Sequence, residues 1–550
     1  MKKRILTFVL SLVMILSCVT VSALAVEADN TWYGDGSATE YRIYDAADLL
    51  AFAAALKGGE SFDGKTVYLC NDVVLNSGSA ADWATNAPKN VYDALNSSSR
   101  FSGTFDGQGY VISGLYTSGV KDTGLIPYVR NTATIKNVTI TNSYFAGTQY
   151  VSAVVAVYDA DEKATFTMQN VHVVDTIINS SADRGAGILA FVYDCSATNV
   201  SVVMEDITFV GGSISAKRMS GGIIGTINNG GDYNNGVALV MNRIVLDTDL
   251  TFGISANFDV KSGSLIGNIA GFRSIDITNV FVGGSLTILV DANNYYRSTA
   301  ILFGYLKTQN SNGSNINVTN ALLAQTCTNV RAVLYCKGDT SEESAILKFE
   351  NVYYDTDVVD ASKGCNRVEQ NPMDSDEIPE TTGKSFATLK GTNAGYTGWI
   401  AVKDSYPVPT ARPARLLGYQ SSYATDVTDD NNANETYSIR LIAALNDTFY
   451  TYAGFENITI TYTDSNGQPV NVPKENYFCK YAYTSVIGTD KSGATQTYTA
   501  SDYGADSLIA LVITGIPENV TEFTVTVNPF AGNGDVSFAG LTKTVQISAQ

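Results

Sequence analysis

Seven four-residue strings recur along this chain: NVTI at 137, NVHV at 170, DITF at 206, RIVL at 243, NVFV at 279, NALL at 320 and NVYY at 351. Their starts lie 33, 36, 37, 36, 41 and 31 residues apart, and six of the seven begin with Asn or Asp. A second apolar string runs ahead of each: GLIPYV from 124, SAVVAVY from 152, GAGILAFV from 185, SGGIIGTI from 220, SGSLIGNI from 262, TAILFGYL from 299 and RAVLY from 331. Each unit is thus a set of short apolar segments punctuated by Gly, Ser or Asn, without helical periodicity. A unit of two or three strands cannot bury its own inner face, so it must stack on its neighbours. Parallel stacking of successive coils about 4.8 Å apart predicts a parallel β-helix. The Asn that opens each string is then expected to stack above the next and share amide hydrogen bonds up a ladder.

The stretch FSGTFDGQGYVISGL, Phe101 to Leu115, sets Gly103, Gly107 and Gly109 close together. A phosphate cradle needs a helix directly after its glycines, with amide groups facing the anion. Here YVIS follows, a strand signal, so the glycines are expected to serve corners and close backbone contacts in an early coil. Phe101, Phe105, Val111 and Leu115 are expected to pack inward. Ahead of this coil, YDAADLLAFAAALKGG is the clearest helix signal: Asp45 caps, Asp48 complements the dipole, Leu49, Phe52, Ala53 and Leu56 form one face, and Gly58-Gly59 ends it. An open stack exposes apolar interior and unpaired edges, and this helix is expected to plug that end.

Lys2, Lys3 and Arg4, an apolar run over 5–21 and Ala23-Leu24-Ala25 read as a signal peptide, residues 1–25. Cys18 invites a lipoprotein reading, but Leu16 fits that signal poorly. No later apolar run is long enough to cross a bilayer, so an exported chain with no membrane span is expected. No LPxTG-like signal precedes the terminal TVQISAQ, so attachment to a cell is expected to be non-covalent. The formal charge is −19 and falls further when the signal cations leave. Such acidity argues against nucleic acid as a partner. Beyond Cys18 the chain holds Cys70, Cys195, Cys327, Cys336, Cys365 and Cys479, too dispersed for a disulfide framework and without a C-x-x-C pair for zinc. A Cys327–Cys336 pairing is the one alternative to buried thiols.

DAADLLAFAAAL, GKTVYLCNDVVL, the Trp83 loop, FSGTFDGQGYVISGL, the repeated Gly-rich apolar segments and the closing NVYYDTD resemble the right-handed parallel β-helix surface proteins of Gram-positive bacteria, including pectate-lyase-like chains with GLUG-type repeats. The resemblance covers roughly residues 30 to 410. TGLIPYV departs from it, with Pro127 where a second glycine is expected; GGIIG at 221 and GSLIG at 263 lie nearer the pattern. The resemblance implies secretion and surface or carbohydrate-associated roles, and no single reaction.

GYTGWIAVKDSYPVPTARP, Gly395 to Pro413, breaks the repeat. Beyond it SIRLIAAL, ENITITYTDSNGQPVNV, LIALVITGI, EFTVTV and TKTVQIS alternate, with Asn466-Gly467 at a hairpin turn. The expected fold is therefore all-β: a right-handed parallel β-helix over 26–410 with an N-terminal capping helix, then a small antiparallel, Ig-like β-sandwich over 414–550. The second unit resembles accessory domains of secreted proteins from anaerobic Firmicutes. DVTDDNNANE, Asp426 to Glu435, is oxygen-rich but lacks the ligand spacing and central glycine of a calcium loop, so a solvated loop is expected.

Chemistry is sparse. The chain has one histidine, His172, whose place in NVHV aligns it with Thr139, Thr208, Phe281 and Tyr353 on a strand face. A strand-face histidine is favoured over a catalytic one, so Ser-His-Asp and Cys-His arrangements are nearly excluded, and so, with a single histidine, is a multi-histidine metal site. Glycoside hydrolysis would need two poised carboxylates; polysaccharide elimination would need calcium on carboxylates and a base. The candidates are Asp159, Asp161, Glu162 and Lys163 in VYDADEK, Asp194 one coil later, and nearby Arg184; Asp159, Asp161 and Asp194 are also the calcium candidates. Exposed turn charges explain the same residues. No cofactor is otherwise expected. Binding asks less: flat stacked faces with Tyr, Asn and Thr at coil spacing offer rings to sugars, Tyr44, Tyr144, Tyr150, Tyr295 and Tyr296 among them. The expected function is a non-catalytic, adhesin-like protein engaging an extracellular polysaccharide or cell-surface glycan. The alternatives are a calcium-dependent polysaccharide lyase or carboxylate-only glycoside hydrolase, and a structural spacer.

Overall fold

The computed structural model describes residues 26–409 except 71–72, 96–99, 196–198, 229–235, 254–259, 290–296, 308–314, 338–345, 360–365, 369–380, 391–394, 398 and 400–405. Beyond 409 it describes 415–417, 436–445, 458–473, 477–483, 485–489, 495–499, 507–517, 520, 522–527, 530–531, 537–538 and 541–546. The signal segment 1–25, Tyr295, Tyr296, the 426–435 loop and the side chains of Asp194, Cys365 and Cys479 lie outside the described part.

The chain is all-β with long parallel sheets, consistent with a β-helix. One sheet counts 17 strands and a second counts eight. In the first, the strands Ala133–Thr141, Thr165–Val174, Ser201–Ala216, Val237–Phe252, Phe272–Ile288, Asn315–Leu323 and Ile346–Asp355 pair parallel in sequence order. Val138 faces Val171, then Ile207, Ile244, Val280, Ala321 and Val352. Those partners are separated by the same intervals as the repeat in the sequence. The second sheet runs through Ile126–Arg130, Val155–Ala160, Leu189–Cys195, Ile224–Asn228, Ile266–Ala270, Phe303–Lys307, Tyr335–Lys337 and Asn366–Val368, one per repeat. Each circuit of the chain therefore visits both sheets, and the interior between them holds one continuous apolar cluster from Tyr41 to Val359.

Every residue that opens a repeat string sits in the left-handed region: Asn137, Asn170, Asp206, Arg243, Asn279, Asn320 and Asn351 have φ of 55°, 53°, 55°, 56°, 57°, 57° and 53°. Asn and Asp tolerate that conformation best among residues with a Cβ, which explains the composition of the column. The amide ladder forms: Asn170 donates to Asn137 (3.2 Å), Asn320 to Asn279 (3.2 Å) and Asn351 to Asn320 (3.2 Å). In the middle it changes chemistry. Arg243 stacks on Asp206 through bonds of 2.5 and 2.6 Å, and Asn279 reaches instead to Asn242 (3.0 Å).

The N-terminal helix spans Ala46–Gly58, with Asp45 accepting from the amides of Ala47 and Asp48 and Gly59 at φ 110°. Phe52 is fully buried and meets Phe62, Phe101 and Phe105 at centroid distances of 5.4, 6.5 and 5.6 Å. The helix thus seats against the interior of the first coil, behind the edge strand Glu40–Ile43 that pairs Thr66–Leu69. In the glycine-rich stretch, a Cβ on Gly107 would lie 2.5 Å from the Asn137 carbonyl oxygen and Gly109 has φ +80°. Phe101, Phe105 and Leu115 join the main apolar cluster; Val111 is buried too, at 2% exposure, but outside that cluster. Val111 pairs with Thr139 and Ile112 with Ile140, so alternation turns Val111 to the outer column and Ile112 inward.

Beyond residue 410 all described pairings are antiparallel. Arg415–Leu417, Thr436–Leu445, Ser507–Pro517 and Tyr477–Tyr483 form one four-stranded sheet; Pro469–Asn471, Ile458–Thr463, Glu522–Val527 and Leu541–Gln546 form another. The segment before them does not simply leave the parallel stack. Tyr396 donates to the carbonyls of Ala321 (2.8 Å) and Asn351 (3.1 Å), and Trp399 to Asn279 Oδ1 (3.0 Å). Tyr406 bonds Asp355. Together with Leu389 and Val408 these rings cover Val245, Phe281 and Leu322 on the outer face of the long sheet. No helix among the described residues is long and apolar enough to cross a membrane.

Candidate functional site

His172 lies where the sequence put it. It faces Thr139 on one side and Thr208 on the other, is 5% exposed, and holds Asn170 Oδ1 at 2.7 Å. It belongs to the wall of the stack.

Asp159 and Asp161 are brought together, but around arginine. Asp159 pairs across the sheet with Arg130 and accepts from its Nε at 2.8 Å; Arg100, from two coils before, reaches the other oxygen at 2.5 Å. Arg130 also meets Asp161 at 3.3 Å. Asp161 is held below the usual carboxylate range, first through Asn131 and further by Arg130. Lys163 is exposed. The backbone of Asp194 lies in the neighbouring strand, at the irregularity where Ala160 faces Cys195. Among the described residues no three His, Cys, Asp or Glu side chains group closely enough to hold a metal ion. A carboxylate shared by two guanidinium groups is a structural clasp, and it is a poor oxygen donor for a cation.

One coil on, a second clasp carries aromatic rings. Asp183 accepts from Arg184 at 2.7 Å and from Arg218, one repeat later, at 3.0 Å. Arg184 lies 4.5 Å over the centroid of Phe191 and 5.3 Å from that of Tyr150, and its Nε donates to Thr226 Oγ1 at 3.2 Å. Tyr150 and Tyr193 flank Phe191 at 4.9 and 5.1 Å. Tyr193 is 46% exposed, among the most exposed large apolar side chains described. The two clasps connect through Asp122, which is fully buried. It accepts from the Tyr150 amide (3.0 Å) and from Tyr128 Oη (2.6 Å), and Arg100 lies 5.4 Å over the Tyr128 ring. Burial, reinforced by Asp122, pushes the Tyr128 hydroxyl well above its ordinary range; burial also raises Tyr150. Neither phenol ionises near neutral pH: Tyr128 acts as a neutral donor to Asp122, and the Tyr150 hydroxyl accepts from Gln149 Nε2 at 2.9 Å. The result is a rigid surface on the outer side of the second sheet, made of ring faces and charge-assisted donors in fixed positions.

Of the tyrosines singled out by sequence, Tyr44 is exposed, Tyr150 is half-buried in this patch, and Tyr144 is covered, stacked on Tyr116 at 5.7 Å with Trp83 against Tyr116 at 6.2 Å. The sequence reading missed Asp183 and Arg218. Their signal was available, because opposite charges one repeat apart meet wherever coils stack in register. Cys70, Cys195, Cys327 and Cys336 are free thiols. Comparison with known protein families, with curated proteins and with solved structures gives no match in any of the three.

Proposed function

We propose that this chain is an exported, non-catalytic, adhesin-like protein that binds an extracellular polysaccharide or cell-surface glycan through the outer faces of a right-handed parallel β-helix of the GLUG-type class, with a C-terminal β-sandwich as a second module. The observation that carries this reading is the patch in which Tyr193, Phe191 and Tyr150 stand beside Arg184 and Asp183. Sugars are bound by ring faces stacked on their C–H surfaces and by fixed planar donors and acceptors for their hydroxyls. The repeat supplies both on a surface that needs no reorganisation, which lowers the entropic cost of binding. The leader-like N-terminus, the acidic composition and the polar, lightly charged surface fit an exported protein.

A glycan array probed with the whole mature chain tests the reading. Retention of a subset of glycans is expected, and an array on which nothing is retained above background would sink it. Incubation with calcium and an acidic polysaccharide is expected to produce no new ultraviolet absorbance from unsaturated sugar, whereas a lyase would generate it.

A further inference from the structure

Resting on the glycan-binding reading, we infer that the Asp183–Arg184–Arg218 clasp and the Phe191–Tyr193–Tyr150 rings form one subsite for a sugar bearing a carboxylate or sulfate group. The argument is charge complementarity. Acidic residues outnumber basic ones by 54 to 35 over the whole chain, yet here one carboxylate serves two guanidinium groups at 2.7 and 3.0 Å. Counted over Asp183, Arg184 and Arg218 the pairing leaves one positive charge, and the buried Asp122 behind Tyr150 has Lys121 3.8 Å away. Arg184 is nearly buried, its side chain 12% exposed and held under Tyr150 and Phe191, so it acts as a fixed part of the floor. Arg218 remains 36% exposed with its Nε committed to Asp183. A guanidinium has a planar fork of donors, and binding one edge to a carboxylate sets the plane in which the rest point. Tyr193 supplies the accessible ring next to this floor, tilted by 34° against Phe191.

Tyr193, Phe191, Arg184, Asp183 and Arg218 follow one another in contact, so a sugar chain with one ring on Tyr193 would run toward Arg218, where an anionic substituent gains a charge-assisted bond and an unsubstituted hydroxyl only an ordinary one. The rest of the protein works against any polyanion. Its repulsion is screened beyond about 8 Å at physiological ionic strength, so the local clasp decides the outcome there.

The test measures binding of the full mature chain to three immobilised polymers at physiological salt: hyaluronate, dextran sulfate and uncharged dextran. Retention by at least one acidic polymer and not by dextran is expected, and the two acidic arms separate carboxylate from sulfate recognition. Arg218→Gln is expected to weaken that binding about tenfold or more, Tyr193→Ala to weaken it comparably, and Arg218→Lys to keep part of the affinity. Tyr193 is exposed and Asp183 keeps Arg184 when Arg218 is replaced, so only a small shift of the denaturation midpoint is expected, and binding is compared where both variants are fully folded. Equal binding to dextran, or acidic binding indifferent to both R218Q and Y193A, overturns the subsite while leaving the broader glycan reading in place. Failure to bind any of the three polymers overturns the subsite; only a silent glycan array removes the reading beneath it.

Discussion

A left-handed residue that recurs once per coil is a demanding position, because it asks for a tolerant backbone and a side chain that satisfies its neighbours. Asn279 meets both demands: its φ is 57°, and its amide touches Asn242, Asn320 and Trp399. Replacing it by Gly keeps the conformation and loses the bonds, each worth about 1 kcal/mol. Replacing it by Ala loses the bonds and adds about 1–2 kcal/mol of left-handed strain. Chemical denaturation is therefore expected to rank the wild type above Asn279→Gly and that above Asn279→Ala; equal midpoints for the two variants would contradict the strain argument. The column of Asn and Asp was legible in the sequence because this conformation restricts composition so tightly. The Arg-Asp clasps were only half legible. Asp159 and Asp161 stood out as a carboxylate cluster in VYDADEK, but Arg100 and Arg130 lie 59 and 29 residues before Asp159 and enter through coil register. Local composition cannot show what sits one coil above.

The N-terminal helix is an element whose limits, cap and buried face all follow from its own residues, and for that reason sequence placed it well. Val111 in the next coil is buried as expected, but on the face of Thr139 and not in the main cluster, because the phase of a three-residue strand cannot be read without its partner: one step of register exchanges one face for the other. The helix and the loop after it close the first coil through two kinds of contact. Phe52→Ala would remove a fully buried ring and leave a cavity, at a cost of about 3–5 kcal/mol. Beside it Lys65 bonds Tyr33 Oη at 2.7 Å and Glu60 at 3.1 Å. Burial raises the Glu60 carboxyl, but bonds from Tyr33 and Lys65 outweigh it and hold the group below its ordinary range. Burial, aided by Glu60, lifts Tyr33 to about 12. The signs follow from linkage. The lowered Glu60 contributes stability above its unfolded value of 4.5, lost as pH falls through the folded value. The raised Tyr33 contributes stability below its unfolded value of 10.0, lost as pH rises toward 12. Denaturation midpoints followed across pH are expected to fall at both extremes, and Glu60→Gln is expected to flatten the acid arm. An unchanged acid arm would mean that Glu60 carries no part of it.

A stack of near-equal coils differs from a globule in how far a local loss travels, since each coil touches only its neighbours and stability is close to a sum of coil and interface contributions. Two additions brace this stack differently: the helix meets the first coil through Phe52, while Tyr396, Trp399 and Tyr406 lie along the outer face of the later coils. The parallel stack itself was legible because the pairing intervals repeat those of the sequence. The return of residues 396–408 onto the sheet was not, because a Pro-containing segment that ends a repeat looks the same whether it departs or folds back. Trp399→Ala removes a ring that is 7% exposed and its bond to Asn279, a change of about 3–5 kcal/mol. If coupling is between neighbours, native-state hydrogen exchange of this variant should show lost protection over Phe272–Ile288, Asn315–Leu323 and Ile346–Asp355, with Thr66–Leu69 and Ala133–Thr141 unchanged. Phe52→Ala should show the reverse pattern. Uniform loss along the whole parallel stack in either variant would show that it unfolds as one cooperative unit, and the account of it as separable coils would be wrong.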